Sequence, residues 1–226
     1  EPMTAFDPVF TVGDQIVEAI RRHEKISYAD ARKRALELFE LVQIPSAKRR
    51  LDNYPFEMSG GMRQRAMIAL ALSCRPSLLL ADEPTTALDA TVQIQILLLL
   101  RQLQRELDMA VVFVTHDIGV AIEIADRIAV MYAGRFVETG TVRDVFGHPA
   151  HPYTRGLMGS TVKGSMRGSR LQAIDGSPPD LSRMPEGCAF APRCPRADAA
   201  CKTRPEERRI GDGRLVRCHH PLESGA

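Results

Sequence analysis

MSGGMRQRAMIALALSCRPSLLLADEPTTALD, residues 58 to 89, decides how this chain is read. The stretch opens on a glycine pair that enters a helix, Ser59-Gly60-Gly61, and closes after an apolar run, Leu78 to Ala81, that ends in acid at Asp82 and Glu83. An uninterrupted apolar run ending in acid is the pattern of a buried parallel strand whose carboxyl end faces a site. Glycines ahead of a helix let backbone amides at the positive end of the helix dipole approach an anion closely. Together they point to phosphoryl transfer, in which positioning dominates catalysis. Asp82 can anchor magnesium directly or through water, and Glu83 can polarise the attacking water.

The flanking sequence supports that reading. Met62 to Leu72 predicts a helix with Ser59 near its start, and Pro76 separates it from the strand. Thr91 to Leu107 predicts another helix, with Asp89 as its N-cap. Ala110 to Val114 repeats the strand pattern and ends in Thr115, His116 and Asp117, so two strands deliver polar groups to one sheet edge. Ligands of open α/β sheets bind outside that edge, which makes His116 a donor candidate for a terminal phosphate. Upstream, Val12, Ile16, Val17 and Ile20 form one helical stripe, and Ala31, Ala35, Leu38, Leu41 and Val42 a second. Ile128 to Val137 reads as a hairpin turning at Gly134. Beyond residue 147 prolines accumulate and apolar periodicity fades, which predicts a loop-rich tail.

Composition narrows the class. The chain has 226 residues, 44% of them hydrophobic, enough for one sizeable core plus an appendage. Its 30 basic and 28 acidic residues leave a net charge of +2, so bulk charge gives a nucleic-acid partner no support. The longest apolar run, around Ile94 to Leu100, is far short of the roughly 20 residues a spanning helix needs. No charged-then-apolar leader follows Glu1, and residue 1 reads as a truncation point.

At this point a family resemblance becomes specific. MSGGMRQR resembles the signature motif of ATP-binding cassette (ABC) ATPases, LLLADE their Walker B strand, TALD their D-loop and THD their switch histidine. Met62 departs from the glutamine usual after the glycines, but methionine there is similar to what the dipeptide, oligopeptide and nickel importer branch carries. EPMTAFDP, TVQIQIL and HPYTRGL also resemble segments of that branch. The resemblance implies an α/β fold: the C-terminal part of a P-loop ABC nucleotide-binding domain, with a helical subdomain and a RecA-like parallel sheet, followed by a loop-rich cysteine-containing extension. It implies a partial domain over residues 1–146, divided into a helical part at 1–75 and the remaining core at 76–146, and an importer-type extension over 147–226. ATP and Mg2+ are the implied ligands, with Ser59, Gly60, Gly61, Met62, Asp82 and Asp89 contacting nucleotide and Glu83 and His116 catalytic.

The sequence contains no G-x-x-x-x-G-K-[ST] phosphate loop, and the Q-loop glutamine would lie just before Glu1. In the family, two domains sandwich two ATP molecules, each site joining one subunit's phosphate loop and Walker B to the other's signature. This chain is therefore expected to be inactive alone, yet able to present Ser59 to Gly61 to a partner. The implied partners are a second ABC ATPase subunit and two integral membrane permease subunits, with a solute-binding protein acting indirectly and no nucleic acid. The implied place is the cytoplasmic face of the inner membrane, peripherally. Two rivals stand beside this reading: a non-transport ABC ATPase of nucleic-acid repair or translation, and an inactive fragment that only pairs with an intact partner. Against the first stand the lack of a basic face, the absence of a long coiled-coil insertion, and the HPYT and cysteine tail.

Of five cysteines, Cys74 reads as a small core residue. Cys188, Cys194, Cys201 and Cys218 crowd the tail, separated by five, six and sixteen residues. That spacing matches neither zinc ribbons nor ferredoxins and leaves the metal open. Four clustered thiols in a cytosolic chain favour a metal or cluster over disulfides. Importer ATPases with a similar tail are thought to hold a [4Fe-4S] cluster, which the resemblance carries to these four. His219 and His220 keep zinc as the alternative.

Overall fold

The computed structural model describes residues 5–86, 88–160, 173–211 and 213–222. Contacts divide the chain into two compact units, Glu1–His116 and Asp117–Ala226.

The first unit runs α1 (Val12–His23), α2 (Tyr28–Leu41), α3 (Ala47–Arg50), a 3-10 turn (Pro55–Glu57), α4 (Gly60–Leu72), β1 (Leu78–Asp82), α5 (Ala90–Glu106) and β2 (Ala110–Val114). Short polar side chains start four of these helices. Thr11, Ser27 and Ser59 each accept the N–H three residues on, and Asp89 accepts those of Thr91 and Val92. These caps satisfy amides the helix itself leaves unpaired. The expected stripes face the core: Val12, Ile16, Val17 and Ile20 of α1 meet Ala31, Ala35, Leu38 and Phe39 of α2. Gly13 lets α1 come close, because a Cβ there would sit 2.6 Å from the Leu51 carbonyl oxygen. Ile96, Leu99, Leu100 and Leu103 of α5 complete the core, each large side chain contributing roughly 1.5–3 kcal/mol.

Strands β1 and β2 pair in parallel, in register from Leu78 with Ala110 to Asp82 with Val114, and α5 is the crossover between them. Leu79 is buried and Val111 and Phe113 are half-buried against the same core, while Leu80, Val112 and Val114 on the other face are exposed. Cys74 departs from expectation. Helix α4 ends at Leu72 and its C-cap Ser73 takes the buried position, so Cys74 lies past the helix and is exposed.

The second unit contains α6 (Ile118–Ile124), β3 (Arg127–Tyr132), β4 (Arg135–Thr141), α7 (Val142–Gly147), α8 (Pro152–Ser160), 3-10 turns at Ala191–Arg193 and Ala199–Lys202, β5 (Arg208–Gly211) and β6 (Arg214–Val216). The hairpin between β3 and β4 turns on Ala133 and Gly134, both with positive φ, the geometry that matches strand twist in two-residue loops. The tail is not loop alone. Strand β6 pairs antiparallel with β4, placing Glu138 opposite Val216, and β5 pairs with β6 at the edge. Residue 147, where the sequence changes texture, therefore falls inside this unit. Among the described residues no helix is long and apolar enough to cross a membrane.

Candidate functional site

In the first unit the parallel register carries Glu83 and His116 past the aligned ends of β1 and β2. The Glu83 N–H donates to the Val114 carbonyl at 2.9 Å, which extends the ladder one step beyond Asp82. Glu83 then takes a left-handed backbone, φ 44°, a conformation costing on the order of 1–3 kcal/mol for a non-glycine residue. That turn brings its carboxylate to His116, with Oε1 3.0 Å from Nδ1. Its other oxygen accepts the Thr86 hydroxyl at 2.9 Å. Hydrogen bonds from His116 and then Thr86 hold the Glu83 carboxyl below the usual glutamate range, so it is ionised at neutral pH. Both side chains stay open, 76% exposed for His116 and 44% for Glu83, as groups that meet a ligand from solvent must be. Asp82 closes β1 with an exposed side chain. Thr86 was not singled out from sequence; its place three residues after Glu83, past Pro84, is the signal that marks a turn hydroxyl able to reach back.

Ser59 caps α4 by accepting from the Met62 N–H at 3.4 Å. The two glycines differ in role. A Cβ on Gly61 would lie 2.8 Å from a methyl of Val92, so the start of α4 abuts the start of α5 and requires glycine there. A Cβ on Gly60 would meet only Leu88 at 3.6 Å, an ordinary contact. Asp89, expected as both cap and interface residue, caps α5 through two 3.0 Å bonds.

In the second unit the four tail cysteines line one small cavity, together with His151, Phe190, Arg196, His219 and His220. The Cys188 N–H donates to the Cys201 carbonyl at 3.0 Å, which joins two of the thiol loops. The Arg196 N–H approaches the Cys194 sulfur at 3.4 Å. Burial pushes the Cys188 and Cys194 thiols up and takes Cys218 to about 11, with neighbouring cysteines adding to each shift. Four thiols that repel as thiolates around a shared cavity form a donor set suited to a cation. Beside them, Asp198, Cys201 and His220 bring their ligand atoms within 4.8 Å of one another, and His220 Nε2 lies 2.9 Å from Asp198 Oδ1.

Linked to this cavity through the His151 N–H is a polar knot that sequence did not reveal. Glu138, 1% exposed, accepts from Arg214 at 2.7 Å and from the amides of Ala150 and His151 at 2.9 Å each. Arg214 also donates to the His148 carbonyl. In the same unit the rings of Tyr132, Tyr153 and Phe190 pack in tilted and edge-to-face pairs with centroids 4.6–5.4 Å apart.

Two family models match the chain: "ABC transporter" over residues 3–86 and "Oligopeptide/dipeptide transporter, C-terminal region" over 137–201. The dipeptide transport ATP-binding protein DppD of Bacillus subtilis is 51% identical over 219 residues, covering 96% of this chain and 65% of the relative. The oligopeptide transport ATP-binding protein OppD of Salmonella typhimurium is 47% identical over 223 residues, covering 99% of this chain and 67% of the relative. Among solved structures, the dimeric ATP-binding cassette MJ0796 in a post-hydrolysis state with ADP and Pi is 33% identical, with a TM-score of 0.55 over 62% of this chain and 60% of that one. The cbiO1 subunit from Clostridium perfringens aligns with a TM-score of 0.58 at 27% identity, covering 65% of this chain and 57% of that one. The chain belongs to the ABC transporter ATPases of the oligopeptide/dipeptide importer type. It spans about two thirds of the length of the curated relatives it matches.

Proposed function

We propose that this chain carries the signature and acid half of an importer ATPase that couples ATP binding and hydrolysis to uptake of di- or oligopeptides or a similar small solute, nickel being another cargo. The observation that carries the reading is the Glu83–His116 pair, 3.0 Å apart at the aligned carboxyl ends of two parallel strands. In the assembled enzyme the ionised Glu83 orients water, His116 contacts the terminal phosphate, and Ser59, Gly60, Gly61 and Met62 face the partner's ATP. Asp82 would hold Mg2+, directly or through water, and the ion would supply charge neutralisation on the phosphate oxygens. Asp89 combines its cap with a place at the dimer interface. Residues 1–146 correspond to the partial nucleotide-binding domain and 147–226 to the extension. The protein works at the cytoplasmic face of the inner membrane, paired with a second ATPase subunit and two permease subunits.

The test is ATP turnover by a dimer in which this chain is joined, ahead of Glu1, to a phosphate-loop segment, because the acid pair serves the phosphate loop of its own subunit. Glu83→Gln lowers turnover by about 10²–10⁴-fold, the usual worth of a general base. Appreciable Glu83-dependent hydrolysis by the chain alone would overturn the composite-site reading. Salt-sensitive binding to DNA or RNA would favour the non-transport rival instead.

For the tail, Cys188, Cys194, Cys201 and Cys218 hold a [4Fe-4S] cluster, a reading supported by their convergence on one cavity. Metal binding of this kind stabilises a loop-rich segment outright. Zinc is the alternative that the Asp198, Cys201 and His220 group favours. Brown protein after anaerobic purification supports the cluster; one equivalent of zinc without iron overturns it.

A further inference from the structure

We propose that Thr86 is a positioning residue for Glu83: its hydroxyl fixes the plane of the carboxylate, so that one oxygen stays on His116 and a water is met from a constant direction. The proposal rests on the reading of Glu83 as the group that orients the attacking water.

A glutamate side chain turns about several bonds before its carboxylate, and at 44% exposure packing does not choose the rotamer of Glu83. Hydrogen bonds make the choice instead. The contact of Oε1 with His116 Nδ1, at 3.0 Å, would by itself leave the carboxylate free to pivot. The Thr86 hydroxyl removes that pivot by donating to Oε2 at 2.9 Å. An ionised carboxylate offers about four acceptor positions, so each oxygen keeps one for water.

Thr86 is itself held in place. Its N–H donates to the Glu83 carbonyl at 3.1 Å and closes a turn over Pro84 and Thr85, both buried. Proline presets the dihedral that such a turn needs at this position. The Glu83 N–H is tied to the Val114 carbonyl at 2.9 Å, so the turn starts from the end of the strand ladder. Its far side is tied as well: the Leu88 N–H donates to the Thr85 carbonyl at 3.3 Å, and Asp89 then caps α5. The branched Cβ of Thr86 further narrows where its hydroxyl can point. Thr86 therefore grips Glu83 twice, by backbone and by side chain, from a base fixed at both ends.

ATP turnover by the dimer carrying the phosphate-loop segment separates positioning of the carboxylate from closure of the turn. Thr86→Val lowers kcat about tenfold with KM for ATP within about twofold of wild type, because the lost bond acts on Glu83 and not on nucleotide. Thr86→Ser keeps the hydroxyl and holds kcat within about threefold. In a Glu83→Ala background, Thr86→Val changes the residual rate by less than about twofold, since the hydroxyl acts only through the carboxylate. A kcat in Thr86→Val within about twofold of wild type overturns the proposal, and so does a rise in KM at unchanged kcat. A serine variant as slow as the valine variant also overturns it, as does a further tenfold or so loss on top of Glu83→Ala. Should Thr86→Val not fold, Thr86→Ala carries the same expectations. Wild-type turnover in Glu83→Ala alone removes the water-orienting reading and the proposal with it, and that result is read before Thr86 is touched.

Discussion

Replacing Glu138 by glutamine removes a single negative charge from the floor of the second unit and leaves its shape almost intact. The magnitude follows from what the carboxylate does. It is almost fully buried, balances a guanidinium whose side chain is only 9% exposed, and accepts two backbone amides. Glutamine offers one oxygen, so its NH2 faces either Arg214 and the Ala150 amide or the His151 amide, donor against donor. Breaking a buried pair from one side costs about 3–5 kcal/mol, chiefly from the charge left without a counter-ion. That is a large share of the 5–15 kcal/mol typical of a domain. The exposed pair Arg32–Asp52, at 2.5 Å but with Asp52 68% exposed, is the control: Asp52→Asn costs within about 1 kcal/mol. Urea unfolding is followed by near-ultraviolet circular dichroism, with no tryptophan in the chain and the Tyr132 and Tyr153 rings packed at 4.6 Å in the second unit, and the loss is read against the Tyr54–Phe56 pair of the first unit by replacing those two rings in the same background. A Glu138→Gln loss below about 1 kcal/mol would falsify the account of this pair as a buried, charge-balanced knot. Joint replacement, Glu138→Leu with Arg214→Met, recovers part of the loss because neither charge then remains alone.

Three further outcomes follow from the first unit. Thr86→Val removes one of the two donors that depress Glu83, so its carboxyl titrates at higher pH than in wild type; carboxyl-carbon NMR reads this, and an unchanged or lower value refutes it. The sign is that of a depressed acid: ionised Glu83 persists to lower pH in the native chain and is lost sooner in the variant. Gly61→Ala lowers thermal stability by the equivalent of about 1–3 kcal/mol, while Gly60→Ala costs under about 1 kcal/mol; adding Val92→Ala to the first relieves it, and equal effects at the two glycines refute the close approach. Asp89→Ala costs about 0.5–2 kcal/mol through two lost caps, and Asp89→Asn retains most of it in the same melt.

The sequence was most legible where local pattern and fold agree. The apolar runs at 78–81 and 110–114 ended in polar groups, and the structure pairs them in register so that Glu83 meets His116. Ser59 and Asp89 were readable as caps because capping is a short-range bond with few candidate side chains. Cys74 was misread because an apolar neighbourhood does not reveal that the helix stops at Leu72. Strands β5 and β6 were missed since four and three residues, three of the seven arginine, are too short to carry alternation, and their pairing depends on β4 far upstream. The Glu138–Arg214 knot was invisible for the same reason: its partners lie 76 residues apart, and an acid in a hairpin strand reads as solvent-facing until its counter-ion is found. His151 stood out only as part of HPYTRGL, a marker of kinship without a mechanism. Its burial against Phe190 and its bond from the Tyr153 N–H depend on segments far along the chain, which no local pattern reveals.

The strand shared between hairpin and tail also imposes an order on synthesis. Glu138 leaves the ribosome 76 residues before Arg214, an interval of roughly 4–15 s at ~5–20 residues per second. During that interval the nascent hairpin carries a carboxylate with no counter-ion and an open strand edge. Cys188, Cys194 and Cys201 emerge while it waits, and Cys218 arrives last, directly behind the arginine that closes the knot. Under the proposed metal reading, an ion arriving early would meet three thiols on an unfinished sheet, and one arriving late would meet all four on a sheet already closed.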